Sequence, residues 1–414
     1  MTAISPTAAL SSSTLAVDVL VVGAGPVGGL LAAVLTARGV AVAVCEAATR
    51  DHLLRPGGDG RAIAVAYTAK RAFEAAGVWP LMEADAQPIL DIRVTDGASP
   101  LFLHYDHHEV GDHPLGWIVD GSAIRRAVLD RLAGLGIPML APARLAGLAR
   151  DGAGAFATLE DGRTVRAALV VGADGRGSAT RRMAGIGVRR LDYGQSGIVC
   201  VVAHQRPHRG IAHEHFLPAG PFAILPMTGD RSGVVWTEAS ASATAIVAQS
   251  DDDFLAELSW RFGDFLGSLR LEGSRLAYPL SLQVAERTVD RRLALIGDAA
   301  HGMHPIAGQG MNMGIRDAAA LAEVVLDARR LGLDVGGPAV LERFDRWRRF
   351  DNGLMLGMTD GLNRLFSNHI GPLKLVRDLG LAAVDRLPAL KTLLMRHAMG
   401  LVGDLPRLLK GELP

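Results

Sequence analysis

The sequence predicts an α/β fold: a domain of parallel strands and crossover helices, a second domain on an antiparallel sheet inserted into it, and C-terminal helices. Three observations predict this. The chain begins with an apolar strand, a helix and a second apolar strand. Two more apolar strands, beginning at Leu169 and Leu293, also run into glycine and aspartate. Between residues 193 and 238 the pattern changes to short strands set off by glycine, proline and aspartate. The 414 residues are too many for one simple core.

Residues 1–16, rich in Ser, Thr and Ala, read as a flexible tail. Val17 to Val22 is a buried strand, Pro26 to Arg38 a helix and Val40 to Cys45 a second buried strand, a unit that requires a parallel sheet. Val19 to Ala37 carries no charge and has the length of a membrane span. Five glycines and prolines interrupt it (Gly23, Gly25, Pro26, Gly28, Gly29), so strand, turn and helix explain it better. No basic residue precedes it, so no signal peptide is expected. Tyr67 to Ala76 is a helix closed by Gly77, and Ala123 to Ala133 another. Leu145–Arg150, Ala155–Leu159 and Thr164–Val171 are strands around Asp-Gly turns. Gly197–Ala203, His213–Leu217, Phe222–Pro226 and Val234–Thr237 form the inserted antiparallel sheet. Asp252 to Phe265 is helical, Leu293 to Ile296 a buried strand, Asn312 to Leu331 a long helix, and the chain is helical from Val340 almost to its end.

Lys+Arg and Asp+Glu both number 43, so the formal charge is zero. A nucleic-acid partner needs a basic face and is not expected. The two cysteines, Cys45 and Cys200, stand in apolar runs and read as buried free thiols of a reducing cytoplasm.

Gly23-Ala-Gly25-Pro-Val-Gly28 lies between the first strand and helix. The first glycine permits a tight turn, the second lets backbone amides approach a pyrophosphate, and the third lets helix and strand pack closely. Glu46 ends the next strand, 18 residues after Gly28, where a carboxylate accepts ribose hydroxyls. The domain is therefore Rossmann-like and binds a dinucleotide. A second motif, Leu169-Val-Val-Gly-Ala-Asp174-Gly175, ends a strand in an Asp-Gly turn. The third runs from Arg292 through Gly297-Asp298 and His301 to His304-Pro305-Ile-Ala-Gly308-Gln-Gly310-Met311-Asn312 and ends at Asp317. Asp298 can accept from a polyol hydroxyl, Gly308 and Gly310 let backbone approach a flat ring, and the helix N-terminus at Asn312 suits negative charge. His301 and His304 lack further acid or thiol ligands at metal spacing, so no metal is expected there. The stretch His104–His108 with His113 reads as a solvated hairpin.

The three motifs, in this order and separation, resemble the flavoprotein aromatic hydroxylases related to para-hydroxybenzoate hydroxylase. His304 to Asp317 is similar to the signature of the ubiquinone-biosynthesis hydroxylases of the UbiH/UbiF type, with Met313 where that family has leucine. Asp59-Gly-Arg61, Asp192-Tyr-Gly-Gln195, Gly220–Pro226, Arg348-Arg-Phe-Asp351-Asn352 and Leu365–Asn368 extend the resemblance over nearly the whole chain. It implies FAD, with Gly23, Gly25, Gly28 and Glu46 on the ADP half, Arg61 and Arg125 toward the phosphates and the ring-proximal half, and Asp174 serving FAD and nicotinamide handling. Gly297 and Asp298 hold the ribityl chain, and Pro305, Gly308, Gly310, Met311 and Asn312 line the isoalloxazine. Pro305 and Gly308 lie nearest the chemistry, and no catalytic side chain can be named.

The resemblance implies an FAD-binding domain over 17–79, 116–185 and 286–335, a substrate domain over 80–115 and 186–285, and a helical region over 336–414. The implied reaction takes NADPH or NADH as reductant and O2 as co-substrate and hydroxylates the ring of a prenylated phenol, with a UbiH-like step on 2-polyprenyl-6-methoxyphenol favoured. The cofactor does the hard chemistry, which accounts for a sequence without a triad or metal cluster. Phe216, Phe222, Leu225 and Trp236 are candidates for the apolar substrate wall. Pro372 to Val402, with Lys374, Arg377, Lys391, Arg396 and His397, packs on the body or lies on a membrane. A peripheral contact on the inner face of the cytoplasmic membrane is expected for a substrate drawn from the bilayer, as is a place in a quinone-biosynthesis complex. Competing readings are another ring position or aromatic substrate, a flavin-dependent reductase, a halogenase (disfavoured because no two tryptophans are two residues apart) and a non-catalytic subunit.

Overall fold

The computed structural model describes residues 14–55, 61–97, 102–303, 308–366 and 384–414. The first sheet runs Val289–Asp290, Leu293–Leu295, Thr164–Gly172, Leu15–Val22, Val42–Cys45, Met139–Leu140, with the last five strands parallel. Leu145–Arg150 and Ala155–Leu159 add antiparallel strands to Thr164–Gly172. Val19, Leu20 and Val21 are completely buried, as a central parallel strand covered on both faces must be. The helix Pro26–Ala37 covers one face, and the uncharged run Val19–Ala37 is strand, turn and helix. Among the described residues no helix is long and apolar enough to cross a membrane.

The second sheet is antiparallel apart from one pair. Its order is His301–Gly302, Leu269–Ala285, Val188–His204, Arg231–Ala239, Gly220–Met227, Ile211–Leu217, Asp91–Asp96, Phe102–Asp106. Period-two alternation gives it two different faces. Ile198, Cys200, Val202, Phe222, Ile224, Val234 and Trp236 pack under Phe254, Leu258 and Phe262 of the helix Asp251–Phe262. The other face, with Val201, Ala212, Leu225 and Met227, packs on a small sheet made of Ala62–Ala66, Gly116–Asp120 and Ala86–Ile89.

The long helix Gln309–Arg330 is buried along most of its length and crosses Pro26–Ala37 closely: a β-carbon on Gly314 would lie 2.5 Å from Val27 Cγ2. It begins three residues before the expected Asn312, because Gly308 takes the left-handed conformation (φ +62°) that admits the chain to the helix. The helix predicted to reach Phe265 stops at Phe262, where Gly263 turns to φ +82°. Among the elements that escape the sequence reading are the three strands of the small sheet, the helix Ser240–Val247 and the 17-residue strand Leu269–Ala285. The strand carries Gly273, Ser274, Arg275 and Pro279 and is half exposed, so it shows no apolar run. Pro338–Phe366 and Pro388–Ala398 supply the C-terminal helices. Residues 1–13, Lys374 and Arg377 lie outside the described residues. Cys45 and Cys200 are buried free thiols, both pushed up to about 12, Cys45 by burial and then Glu46, Cys200 by burial.

Candidate functional site

Four strand ends are level in the first sheet. Val22 pairs with Cys45 on one side and Gly172 on the other, and Gly172 with Leu295. The residues that follow these ends, Gly23, Glu46, Ala173-Asp174 and Ile296–Asp298, therefore leave the sheet at one carboxyl edge. A doubly wound sheet binds its ligand there. The three motifs, up to 275 residues apart, converge at this edge because the parallel register brings them there.

At Gly23 the backbone takes φ +111°, and a β-carbon would lie 2.4 Å from the Ala173 carbonyl oxygen. A β-carbon on Gly28 would meet the Gly23 carbonyl oxygen at 2.2 Å. Gly25 differs: among the described residues, its chain neighbours aside, nothing lies within 4 Å of the place its β-carbon would take. Open space is thus left at the N-terminus of Pro26–Ala37, a helix with no side-chain cap and no acid in its first turn. Its free N–H groups and partial positive charge suit a pyrophosphate. Beside the loop, the Glu46 carboxylate accepts from Ala24 N at 2.9 Å and Ala48 N at 2.8 Å.

Asp174 accepts through Oδ2 from the amide and hydroxyl of Thr180, both at 3.0 Å, while its Oδ1 is buried without a partner among the described residues. A buried carboxylate oxygen without a donor is uncommon unless a ligand completes it. Asp298 is held by Arg176 at 3.3 Å and keeps 42% of its side chain exposed. The same guanidinium donates to the Ser281 carbonyl at 2.9 Å and the Met303 carbonyl at 2.7 Å. Arg176 therefore ties the second motif to the third and both to the second sheet.

The start of the long helix lies against Ala62–Ala66. Asn312 accepts from Ala66 N at 3.0 Å and donates to the carbonyls of Ala64 at 3.1 Å and Gly308 at 3.2 Å, and a β-carbon on Gly308 would come within 2.8 Å of Ala64 Cβ. Gly310 approaches Met303, and Met311 packs on the main core. This helix also lacks a side-chain cap and a first-turn acid. Arg61 accepts at its backbone carbonyl from Gly121 N, which opens the helix carrying Arg125, whose Nε donates to the Leu53 carbonyl at 3.3 Å. Pro305 and His304 lie outside the described residues, as do Asp59 and Ser367-Asn368.

Behind the loop stands a buried hub. Asp317 accepts from Gly297 N at 3.1 Å, His301 Nε2 at 2.5 Å, Arg348 Nε at 2.8 Å and Asn352 Nδ2 at 3.3 Å. Burial alone would raise the Asp317 carboxyl, but His301 and Arg348 hold it well below the usual carboxylate range. Burial would lower His301, and Asp317 overrides it and raises the imidazole.

Four substrate-wall candidates divide between the two faces of the second sheet. Phe216 and Leu225 face the small sheet and the C-terminal helices. Phe222 and Trp236 are a correction: they point the other way, fully buried beneath Asp251–Phe262. Hydrophobicity placed all four together, and period-two alternation separates them. In the predicted hairpin, His104 bonds Asp91 at 2.7 Å, and the ligand atoms of Asp106, His107 and His108 lie within 4.8 Å of one another. Sequence reasoning assigned no role to Arg176, Asp317 or Arg348. Their only signal in the sequence was position, which does not show what they bond: Arg176 follows the Asp-Gly turn directly, and the other two stand inside motifs already singled out.

The open cradle at Gly25, the unpartnered Asp174 oxygen and two uncapped helix N-termini fit FAD. Comparison with known proteins agrees. Residues 16–332 match the family model described as FAD binding domain. The chain is 55% identical to the ubiquinone hydroxylase UbiL of Rhodospirillum rubrum over 398 residues, 95% of this chain and 92% of that protein. It is 32% identical to the 3-demethoxyubiquinol 3-hydroxylase of Escherichia coli, covering 93% and 98%. The crystal structure of p-nitrophenol 4-monooxygenase PnpA from Pseudomonas putida superposes with a TM-score of 0.77 over 94% of this chain and 100% of that one, at 19% identity, a likeness of fold.

Proposed function

The chain belongs to the FAD-dependent aromatic monooxygenases that include the ubiquinone hydroxylases, and from that premise we propose that it hydroxylates the ring of a polyprenylated phenol in ubiquinone biosynthesis. Identity of 55% along nearly the full length to a ubiquinone hydroxylase carries the reading. FAD, when bound, supplies the redox chemistry with NAD(P)H as reductant and O2 as co-substrate. The residues supply binding, orientation and exclusion of water. Gly23, Gly25 and Gly28 receive the pyrophosphate, Glu46 the ribose, and Asp298, positioned by Arg176, the ribityl chain. Arg61, Arg125 and Asp174 act on the phosphates and the nicotinamide side. Gly297, Pro305, Gly308, Gly310, Met311 and Asn312 shape the flavin loop. The domain boundaries given above follow the same reading, with the substrate between the flavin loop and the face of the second sheet that carries Phe216 and Leu225.

Within this reaction we favour a UbiH-like step on 2-polyprenyl-6-methoxyphenol. In a deletion strain, mass spectrometry is expected to find that intermediate accumulating and ubiquinone lost. Accumulation of a later, already hydroxylated intermediate would move the step to another ring carbon. Purified protein that consumes NAD(P)H without O2 would make it a reductase, and protein without flavin absorbance a non-catalytic subunit.

We also propose a cytoplasmic enzyme that touches the membrane through Pro388–Ala398. Leu387, Leu390 and Leu393 are 54%, 39% and 53% exposed there, next to exposed Arg386 and Arg396. Apolar side chains beside basic ones suit an anionic bilayer surface. Flotation with anionic liposomes should carry the protein upward, and Leu390→Glu with Leu393→Glu should leave it at the bottom. Equal flotation of both proteins would remove this surface from the proposal.

A further inference from the structure

Glu214 extends the proposed function and rests on it. The strand Ile211–Leu217 lies between Gly220–Met227 and Asp91–Asp96, in a register that sets Glu214 beside Ala223 on one side and Val94 on the other. Continued across the sheet, the register gives one row on one face: Leu103, Val94, Glu214, Ala223, Val235. The two flanking rows are covered. In one, Leu225 and Gly233 meet the small sheet so closely that a β-carbon on Gly233 would lie 2.3 Å from Ala62 Cβ. In the other, Phe216 stacks on Phe366 at the end of Pro338–Phe366, ring centroids 4.0 Å apart.

The Glu214 row runs along the gap between these two covers. Its strand is internal to the sheet, yet Val94, Glu214 and Val235 each keep part of their surface accessible. Their accessible surface lies between the two covers. One of these covers is the small sheet, and the flavin loop packs on the same strand of it, Ala62–Ala66, through Gly308 and Asn312. The row is apolar except for one carboxyl, which has no hydrogen-bond or ion-pair partner among the described residues. Such a surface suits an aromatic ring with a hydroxyl aimed at the carboxyl.

We propose that Glu214 is the catalytic base that takes the phenolic proton of the substrate. The phenol O–H bond breaks, the proton moves to a Glu214 carboxylate oxygen, and the electron pair stays on the phenolate oxygen. That pair raises the electron density of the ring at the ortho and para carbons, where the oxygen atom is added. The proton passes to water when product leaves.

Burial alone pushes the Glu214 carboxyl up to about 7, where a base works best at neutral pH. Asp96 and Tyr105 share its face of the sheet. Burial and then Asp385 push Tyr105 up to about 12, Asp385 is paired with Lys391 at 3.2 Å, and Asp96 is already bonded. Among the described residues the small sheet meets this face with apolar side chains, Ala62, Ala64, Ile89 and Ile118, and Arg364, near the helix end, is paired with Asp360 at 2.9 Å.

The test uses the FAD-loaded enzyme, NAD(P)H, O2 and a short-chain prenylated methoxyphenol. Glu214→Gln should form product about 100-fold more slowly, with FAD content and flavin reduction by NAD(P)H unchanged and the consumed O2 appearing as hydrogen peroxide. Wild-type hydroxylation should rise with pH through a midpoint near 7, the Gln variant should show no such rise, and Glu214→Asp should recover it in part. The folded carboxyl titrates above its unfolded value, so its contribution to stability is present at low pH and lost as pH rises through 7. Glu214→Gln should therefore melt higher than wild type at pH 8 and no higher at pH 5. Coupled hydroxylation at the wild-type rate, an unchanged pH profile, loss of FAD or a lower melting temperature at pH 8 would each overturn the proposal and leave the proposed function standing. A wild-type enzyme that forms no product overturns both.

Discussion

Asp317→Asn is expected to cost the fold about 3–5 kcal/mol, the loss typical of breaking a buried ion pair by removing one partner. Whole domains are stable by only about 5–15 kcal/mol, so the variant should lose FAD on gel filtration and melt well below wild type. The reason is concentration of partners. Asp317 is 1% exposed and neutralises Arg348, which is 4% exposed, and His301, which is 3% exposed. The same carboxylate fixes Gly297 N, the turn that presents Asp298. An amide keeps the shape but leaves Arg348 with less compensation and His301 without a counter-charge. The pH dependence has a definite sign. A depressed carboxyl contributes stability above its unfolded value, about 4, and loses it as pH falls through its folded value. A raised imidazole contributes fully below its unfolded value, about 6.5, and loses it as pH rises through its folded value. The stability gap between wild type and Asp317→Asn should therefore be widest between about pH 4 and 6.5 and narrow on both sides. Denaturant titrations at pH 3, 5.5 and 9 measure it, and a gap independent of pH would mean that Asp317 acts by packing and not by charge.

Much of the cofactor edge in front of this hub was visible in the chain before any fold was known, although the hub itself was not. Gly23, Gly25, Gly28 and Glu46 could be placed because a strand, a turn and a helix follow each other within 32 residues, so local pattern alone fixes their geometry. Asp174 and Asp298 could be placed because each ends an apolar strand, and parallel strands of one sheet end on the same edge. Arg176, Arg348 and Glu214 could not be placed from pattern. Their roles depend on which strand or helix packs over them, which is a tertiary fact. Glu214 in particular looks like any polar residue between two histidines, and only the register beside Val94 and Ala223 shows that it stands on the inward face. The misplacement of Phe222 and Trp236 has the same origin. In a sheet buried on both faces, hydrophobicity reports burial and says nothing of direction.

Two glycines of the first motif, Gly25 and Gly28, should separate cofactor from scaffold. Gly28→Ala places a β-carbon 2.2 Å from the Gly23 carbonyl oxygen, 3.0 Å from Ala173 Cβ and 3.1 Å from Val21 Cγ1. Backbone and a buried strand surround it, so nothing can give way without parting the first helix from the sheet. Overpacking of this kind costs about 1–3 kcal/mol or more, and the variant should be unstable with or without added FAD. Gly25→Val is the opposite case. Gly25 has φ −68° and ψ 176°, which a β-branched residue adopts without strain, and among the described residues, its chain neighbours aside, no atom lies within 4 Å of its β-carbon. The group that such a side chain would displace is the ligand. Gly25→Val should therefore melt like the wild-type protein stripped of FAD, keep the same far-ultraviolet circular dichroism, and bind FAD at least about 100-fold more weakly, a loss of about 3 kcal/mol. Titration of the stripped proteins with FAD, followed by quenching of flavin fluorescence, measures the difference. If Gly25→Val binds FAD as wild type does, the pyrophosphate does not sit at this helix N-terminus, and the placement of the ADP half at the level strand ends would have to be given up.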